Sequence, residues 1–161
     1  MMGFLSYGKF IGYYPNTALT EAQFGLYERQ AERVLDALTT GIDNVHKLYD
    51  YFPTNARDAQ YIEDATAHLT NLLYQIEMTA SAYTPSVGAD GLASSKVVAS
   101  RSSGSESISY ASNVSTALVE ASKSEDAKTA LLNKTARFYL AGAEDKNGVN
   151  LLFMGAYPYV R

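Results

Sequence analysis

The stretch Tyr61-Ile-Glu-Asp-Ala-Thr-Ala-His-Leu-Thr-Asn-Leu-Leu-Tyr-Gln-Ile76 decides the fold class. Ile62, Ala65, Leu69, Leu72, Leu73 and Ile76 recur at intervals of mostly three and four. That spacing puts apolar side chains on one face of a helix. It predicts a helix over about 56–79, the longest periodic segment of the chain. A second stripe precedes it, at Phe24, Tyr27, Ala31, Val34, Leu35 and Leu38, with Glu21, Glu28, Arg29, Glu32 and Arg33 mostly off the face. Thr20 and Gln23 fit a capping box, in which each side chain satisfies a free backbone N–H. Thr39-Thr40-Gly41 predicts the stop, with Gly41 as the residue after the C-cap. Between the stripes, Asp43–Tyr49 predicts one or two helical turns, and Phe52-Pro53-Thr54-Asn55 breaks them. Two long helices with a short connection are expected to pack antiparallel.

Working outward, residues 1–19 read as an irregular aromatic arm carrying Phe4, Tyr7, Phe10, Tyr13 and Tyr14, with a turn at Tyr14-Pro15-Asn16-Thr17. Residues 20–161 read as one helical domain. After the second helix the pattern dissolves, and Pro85, Gly88 and Gly91 predict a loop over 80–95. Val97-Val98-Ala99-Ser100-Arg101 and Ser107-Ile108-Ser109-Tyr110 are short β-prone runs joined by Ser102-Ser103-Gly104-Ser105. They predict a β-hairpin or extended arm over about 96–110. Two strands alone are marginal in water, so this ribbon needs support from helices or a partner. Val114–Ala121 predicts a short helix. Ser124 then caps a last helix whose stripe is Ala130, Leu131, Ala136, Phe138, Tyr139 and Ala141. Asp145-Lys146-Asn147-Gly148 is a turn, and an apolar extended tail follows over about 149–161. The class is therefore mainly α: a small helical bundle with a short hairpin or arm and an extended C-terminal tail.

The 161 residues suffice for one domain with its own core. Thirteen tyrosines and no tryptophan favour a surface in contact with neighbours, because tyrosine joins a large apolar ring to a hydroxyl that tolerates water. Cysteine is absent, which removes disulfides and thiolate metal sites. Thirteen cationic against seventeen acidic side chains give a net charge of −4, which does not suit a broad grip on nucleic-acid phosphates. No apolar run approaches the roughly 18 residues of a membrane span, and Met1–Gly12 is not expected to act as a secretory signal.

Catalytic and metal motifs were sought by spacing. His46 and His68 have no second ligand at a recognised interval and read as ordinary surface or half-buried histidines. Gly104-Ser105-Glu106-Ser107 lacks the strand-to-helix context of a hydrolase nucleophile. Gly88-Ala-Asp-Gly91 lacks the lysine and spacing of a phosphate-binding loop. Asp43, Asp50, Glu63 and Asp64 read as solvated charges, and Arg29, Arg33, Arg57 and Arg101 are scattered. No catalytic residue, cofactor or metal is expected, and the chain is not expected to be an enzyme.

The order of elements and four short patches carry a resemblance: Phe24–Leu38 followed by Thr39-Thr40-Gly41-Ile42-Asp43; Gln75-Ile76-Glu77; Ser103-Gly-Ser-Glu-Ser-Ile-Ser-Tyr110; and Leu151-Leu152-Phe153-Met154-Gly155. Together they resemble the head–tail connector, or adaptor, family of long-tailed bacteriophages, over separated patches within about 18–156. The resemblance implies a ring of about twelve copies, built by contacts between unlike surfaces. The ring lies below the portal protein, extends the DNA channel and docks a stopper or tail-completion protein. Double-stranded DNA passes without sequence-specific binding, and no membrane is involved. The chain is then expected in the neck of the virion, and in the host cytoplasm during assembly. Val97, Val98, Arg101, Ile108 and Tyr110 of the ribbon are the expected subunit or partner interface. Leu151, Leu152, Phe153, Met154, Tyr157 and Tyr159 of the tail are the expected portal contact, serving docking rather than folding. The alternatives are a viral DNA-binding packaging factor, or another neck component such as a stopper or tail-completion protein.

Overall fold

Small side chains in the middle of the longest helix set how closely the rest can pack. In a computed structural model that describes residues 3–87, 93–102, 107–110 and 115–158, this helix is α4, Ala56–Ala82. Ile62, Ala65, Leu69, Leu73 and Ile76 of the expected stripe are buried, and Leu72 is half-buried. Thr66, Ala67 and Thr70 are buried too, so the first half of α4 is enclosed on more than one face. Thr66 tolerates this because its hydroxyl donates to the Ile62 carbonyl at 2.7 Å.

The chain is mainly helical. Before α4 come α1 (Tyr7–Tyr13), α2 (Glu21–Thr39) and the single turn α3 (Lys47–Asp50). After it come the strands β1 (Tyr83–Val87), β2 (Ala93–Ser102) and β3 (Ser107–Tyr110), then α5 (Thr116–Lys123) and α6 (Glu125–Tyr139). Two compact units result: Met1–Leu73 with Leu132–Arg161, and Tyr74–Leu131. Residues 1–19 fall within the first unit.

In the first unit, α2 follows its sequence closely. Thr20 Oγ1 accepts from Gln23 N–H, and Gln23 Oε1 accepts from Thr20 N–H at 3.1 Å, which completes the capping box. Phe24, Tyr27, Ala31, Leu35 and Leu38 are buried, with Val34 half-buried. The helix stops at Thr39, as expected, but not by a left-handed glycine. Thr40 turns extended, at φ −75° and ψ 122°, while its hydroxyl and its N–H both donate to the Asp36 carbonyl.

The N-terminal segment differs from expectation. It is not irregular throughout, since α1 is capped by Ser6, whose hydroxyl accepts from Lys9 N–H at 3.4 Å. Phe10 is fully buried, with its ring 5.1 Å from Phe24, and Tyr7 donates to the Leu19 carbonyl at 2.9 Å. Tyr7, Phe10, Ile11 and Tyr14 already stand at helical spacing. The density of aromatic residues obscured that period.

The end of α1 is joined to α4 and α6 through His68. Its ring stacks on Tyr139 (4.4 Å, 11° between planes) and meets Tyr14 edge-on, and its Nδ1 is hydrogen-bonded to the Tyr14 hydroxyl. In α6 the buried positions are Leu132 and Ala136, and Leu140 just past its end continues the same i, i+4 row. Of the expected stripe only Ala136 is buried. Phe138 is 75% exposed, because the row through Leu132 and Leu140 leaves it on the opposite side.

In the second unit, β2 pairs antiparallel with both β1 and β3. Residues 83–87 are thus extended and paired where the sequence predicted a loop. The register sets Tyr83 against Val97, Val98 against Tyr110 and Arg101 against Ile108, with an irregularity between Val98 and Ser100. The linking residues 88–92 and 103–106 lie outside the described residues. Ser124 Oγ accepts from Ala127 N–H at 3.4 Å, the N-terminal cap expected for α6.

Burial holds the His68 imidazole below its usual range, against the pull of Asp64 towards protonation. The folded state therefore favours neutral His68, and this contribution is present above an ordinary histidine value of 6.5 and is lost as pH falls below it. The difference in unfolding free energy between wild type and His68→Gln, from urea titration, should be larger at about pH 7.5 than at about pH 5. Equal differences at the two values would remove this role.

Candidate docking surface on the C-terminal strap

Residues 143–158 begin with a tight turn dictated by Asp145. Its Oδ1 accepts from the N–H groups of Asn147 (2.8 Å) and Val149 (3.0 Å), and Gly148 takes a positive φ of 75° that other residues resist. Glu144 and Asn150 form an isolated antiparallel bridge, and Leu151 N–H donates to the Ala143 carbonyl at 2.9 Å. The turn sends the chain back across the corner between α2 and α3.

There it is held as a strap. Lys47, fully buried, directs its ammonium at the carbonyls of Asn150 (3.4 Å), Leu151 (3.1 Å) and Phe153. Three N–H donors thus meet three acceptors. Burial lowers the pKa of this lysine, and the charges of Asp145 and Asp43 oppose that shift. Asp43 accepts from Tyr157 N–H, Tyr157 donates its hydroxyl to Asp145 Oδ2, and the Tyr157 ring stacks on Tyr51 at 4.5 Å. Burial, then Asp145, raises the Tyr157 phenol above its usual range, so it stays a donor. Ile42 N–H donates to the Met154 carbonyl at 3.2 Å. Gly41 lies so close beneath the strap that a Cβ would stand 2.8 Å from the Gly155 oxygen. Close approach, not a left-handed turn, is what this glycine permits.

The strap divides the expected tail residues into two sets. Leu151 is fully buried and Tyr157 is 3% exposed, so both hold the fold together. Phe153 and Met154 are exposed, Leu152 is half-buried, and Tyr159 lies outside the described residues. Ile42, 80% exposed, is joined to Met154 by its backbone N–H. Leu151 and Tyr157 pack into the fold, because the turn at Asp145 folds them inward. Lys47 and Ile42 were missed as members of this site. A lysine between a histidine and Leu48 in a one-turn helix carries no sequence mark of burial.

Val97, Val98, Arg101 and, across the pairing, Ile108 and Tyr110 lie on the paired backbone of β2 and β3, in the other unit. A second polar locus is an open groove lined by Lys9, Gly12, Tyr13, Gln60 and Glu63. Its groups satisfy one another: Lys9 pairs with Glu63 at 2.5 Å, Tyr13 donates to Asp64 at 2.5 Å, and Gln60 donates to both Tyr13 and Asp64. His46 pairs with Asp36 at 2.8 Å. Among the described residues, no three or more histidine, cysteine or acidic side chains gather where they would hold a metal ion, and no helix is long and apolar enough to cross a membrane. No protein-family model, curated protein or solved structure matches this chain.

Lys47→Met keeps the length of the side chain and removes the ammonium, taking this donor from the carbonyls of Leu151 and Phe153, while that of Asn150 keeps the Phe153 N–H at 3.0 Å. The expected cost is about 1–3 kcal/mol of stability in denaturant titration. Exchange of the Ile42 and Tyr157 amide protons should speed up selectively, because both are sealed by the strap. Unchanged exchange at these two positions would show that Lys47 does not hold it.

Proposed function

We propose that this chain is a structural subunit of the neck of a long-tailed bacteriophage. In this reading it is a head–tail connector that forms a ring of about twelve copies below the portal, extends the DNA channel and docks a stopper or tail-completion protein. The observation that carries the reading is the strap. It presents Ile42, Phe153 and Met154 to solvent on backbone clamped from beneath by Lys47. An apolar surface held in place before binding loses little freedom on docking, which suits a permanent joint. The four patches of resemblance supply the identity of the joint. The last of them, Leu151–Gly155, is the strap itself.

Leu152, Phe153, Met154 and Tyr159 then meet the portal, while Leu151 and Tyr157 keep the strap in shape. The ribbon over about 96–110, with Val97, Val98, Arg101, Ile108 and Tyr110, supplies a strand edge for the neighbouring subunit. An edge of this kind meets a different surface of its neighbour, the contact a closed ring requires. The net charge of −4 suits a channel through which DNA slides.

Blocking expression of this chain in its source virus should give heads that carry portals, lack tails and lose their DNA when imaged by electron microscopy. Complete, tailed, DNA-filled particles would overturn the reading. Phe153→Asp with Met154→Asp should leave the helical circular dichroism intact and weaken docking to the portal by about tenfold or more, since 1.4 kcal/mol is tenfold. Truncation of the whole tail is a poorer test, because it also removes Leu151 from the core. Normal docking by the double variant would remove the strap from the interface. Salt-dependent duplex binding by the isolated chain would favour a packaging factor instead.

A further inference from the structure

On α2, Glu28 and Glu32 stand one turn apart beneath residues 3–5. Glu28 is only 6% exposed, and its Oε1 has no hydrogen-bond partner. Gly3 crosses directly above it, so that a Cβ there would collide with the Glu28 carboxyl group. Glu32 Oε1 accepts from Phe4 N–H at 2.7 Å. The Phe4 ring rests against Tyr49 (5.5 Å) and Phe52 (5.7 Å), and Leu5 is buried. The segment is thus fastened by apolar contacts and laid over a pair of acids. Burying an ionised carboxylate with one oxygen unpaired is disfavoured, and the N–H groups of Leu5 and Phe4 offset only part of that cost, while a protonated carboxyl tolerates the same place. Two carboxyls this close hold a proton between them more tightly than either does alone.

We propose that residues 3–5 form a proton-gated clasp, closed on α2 while Glu28 and Glu32 share one proton and opened when both are ionised. Opening uncovers the surface of α2 and α3 on which Phe4 and Leu5 rest. The inference stands on this geometry and does not depend on the role in a phage neck.

Burial first, then the hydrogen bond and charge of Glu32, push the Glu28 carboxyl up to about 7, while the backbone N–H groups of Leu5 and Phe4 pull it down. The charge that acts on Glu28 is that of Glu32, and at the neighbouring Tyr49 of α3 the acids Glu32, Asp36 and Glu28 are opposed by Arg33. Burial and the three acids Glu32, Asp36 and Glu28 push the Tyr49 phenol up, so it stays neutral beside the pair. Gly3, Phe4 and Leu5 bring no titratable side chain. Since the closed value lies above the ordinary 4.5, the clasp is fully closed below that ordinary value and loosens as pH rises through about 7.

Hydrogen–deuterium exchange on the full chain tests this. Protection of the Phe4 and Leu5 amides, corrected for the intrinsic pH dependence of exchange, should fall by about tenfold or more between pH 5.5 and 8.5, one decade per unit of linked pKa. Glu28→Gln keeps the shape of the neutral carboxyl at every pH and should make the protection constant. Glu32→Gln removes the hydrogen bond and charge that add to burial and should move the fall in protection to lower pH, so either variant supplies the comparison if the other fails to fold. A flat profile in the wild type, or the wild-type profile retained in a folded variant, would overturn the clasp.

Discussion

An ammonium group enclosed by three peptide carbonyls fixes the course of the C-terminal strap. Taking Lys47 out of water is costly by itself, and leaving the carbonyls of Leu151 and Phe153 without this donor is costly too. Each cost cancels the other only when the strap lies where it does. Asp43 and Asp145 complete the arrangement, since their charges favour the ammonium and each also accepts from Tyr157. Leu151 then reaches the core, Gly41 has to lack a side chain, and Ile42 has to stand in the open. An apolar residue in place of Lys47 would fill the volume and satisfy none of these carbonyls.

The body under the strap is assembled by a different principle. Along α4, Ala65, Thr66, Ala67 and Thr70 are small, and they let neighbouring segments come close on more than one side. Larger groups pack around them, where Phe24 meets both Phe10 and Tyr7 and His68 is stacked on Tyr139. Hydroxyls on these rings reach carbonyls and carboxylates, as Tyr7 does at Leu19 and Tyr13 at Asp64. The abundance of tyrosine is thus used in part inside the unit, where a ring seals apolar surface and a hydroxyl finds a partner.

How much of this was legible from sequence depended on whether a local rule governed the position. The capping box at Thr20, the buried face of α2 and most of the face of α4 follow from spacing, because each needs only a helix and one side to bury. The α6 face did not, since two rows of apolar residues competed and the one through Leu132, Ala136 and Leu140 won by packing. Helix α1 was hidden among aromatic residues that suit irregular segments equally well. The candidate surface was half legible: Phe153 and Met154 were named from their apolar character, but the inward turn of Leu151 and Tyr157 depends on Asp145 and Lys47. Burial of Lys47 and Glu28 was not visible at all. Their partners lie in segments distant along the chain, and charge is ordinarily a mark of the surface.

The strap also joins positions separated by more than a hundred residues: Lys47 to Leu151 spans 104 and Asp43 to Tyr157 spans 114. During synthesis the helices through α4 emerge long before their last partner does. Until residues 150–157 leave the ribosome, Lys47 sits over an unfilled site and keeps its water. Contacts of such separation close a long loop, which is slow relative to helix formation. A chain cut short of that point lacks the carbonyls that Lys47 engages and the exposed Phe153 and Met154.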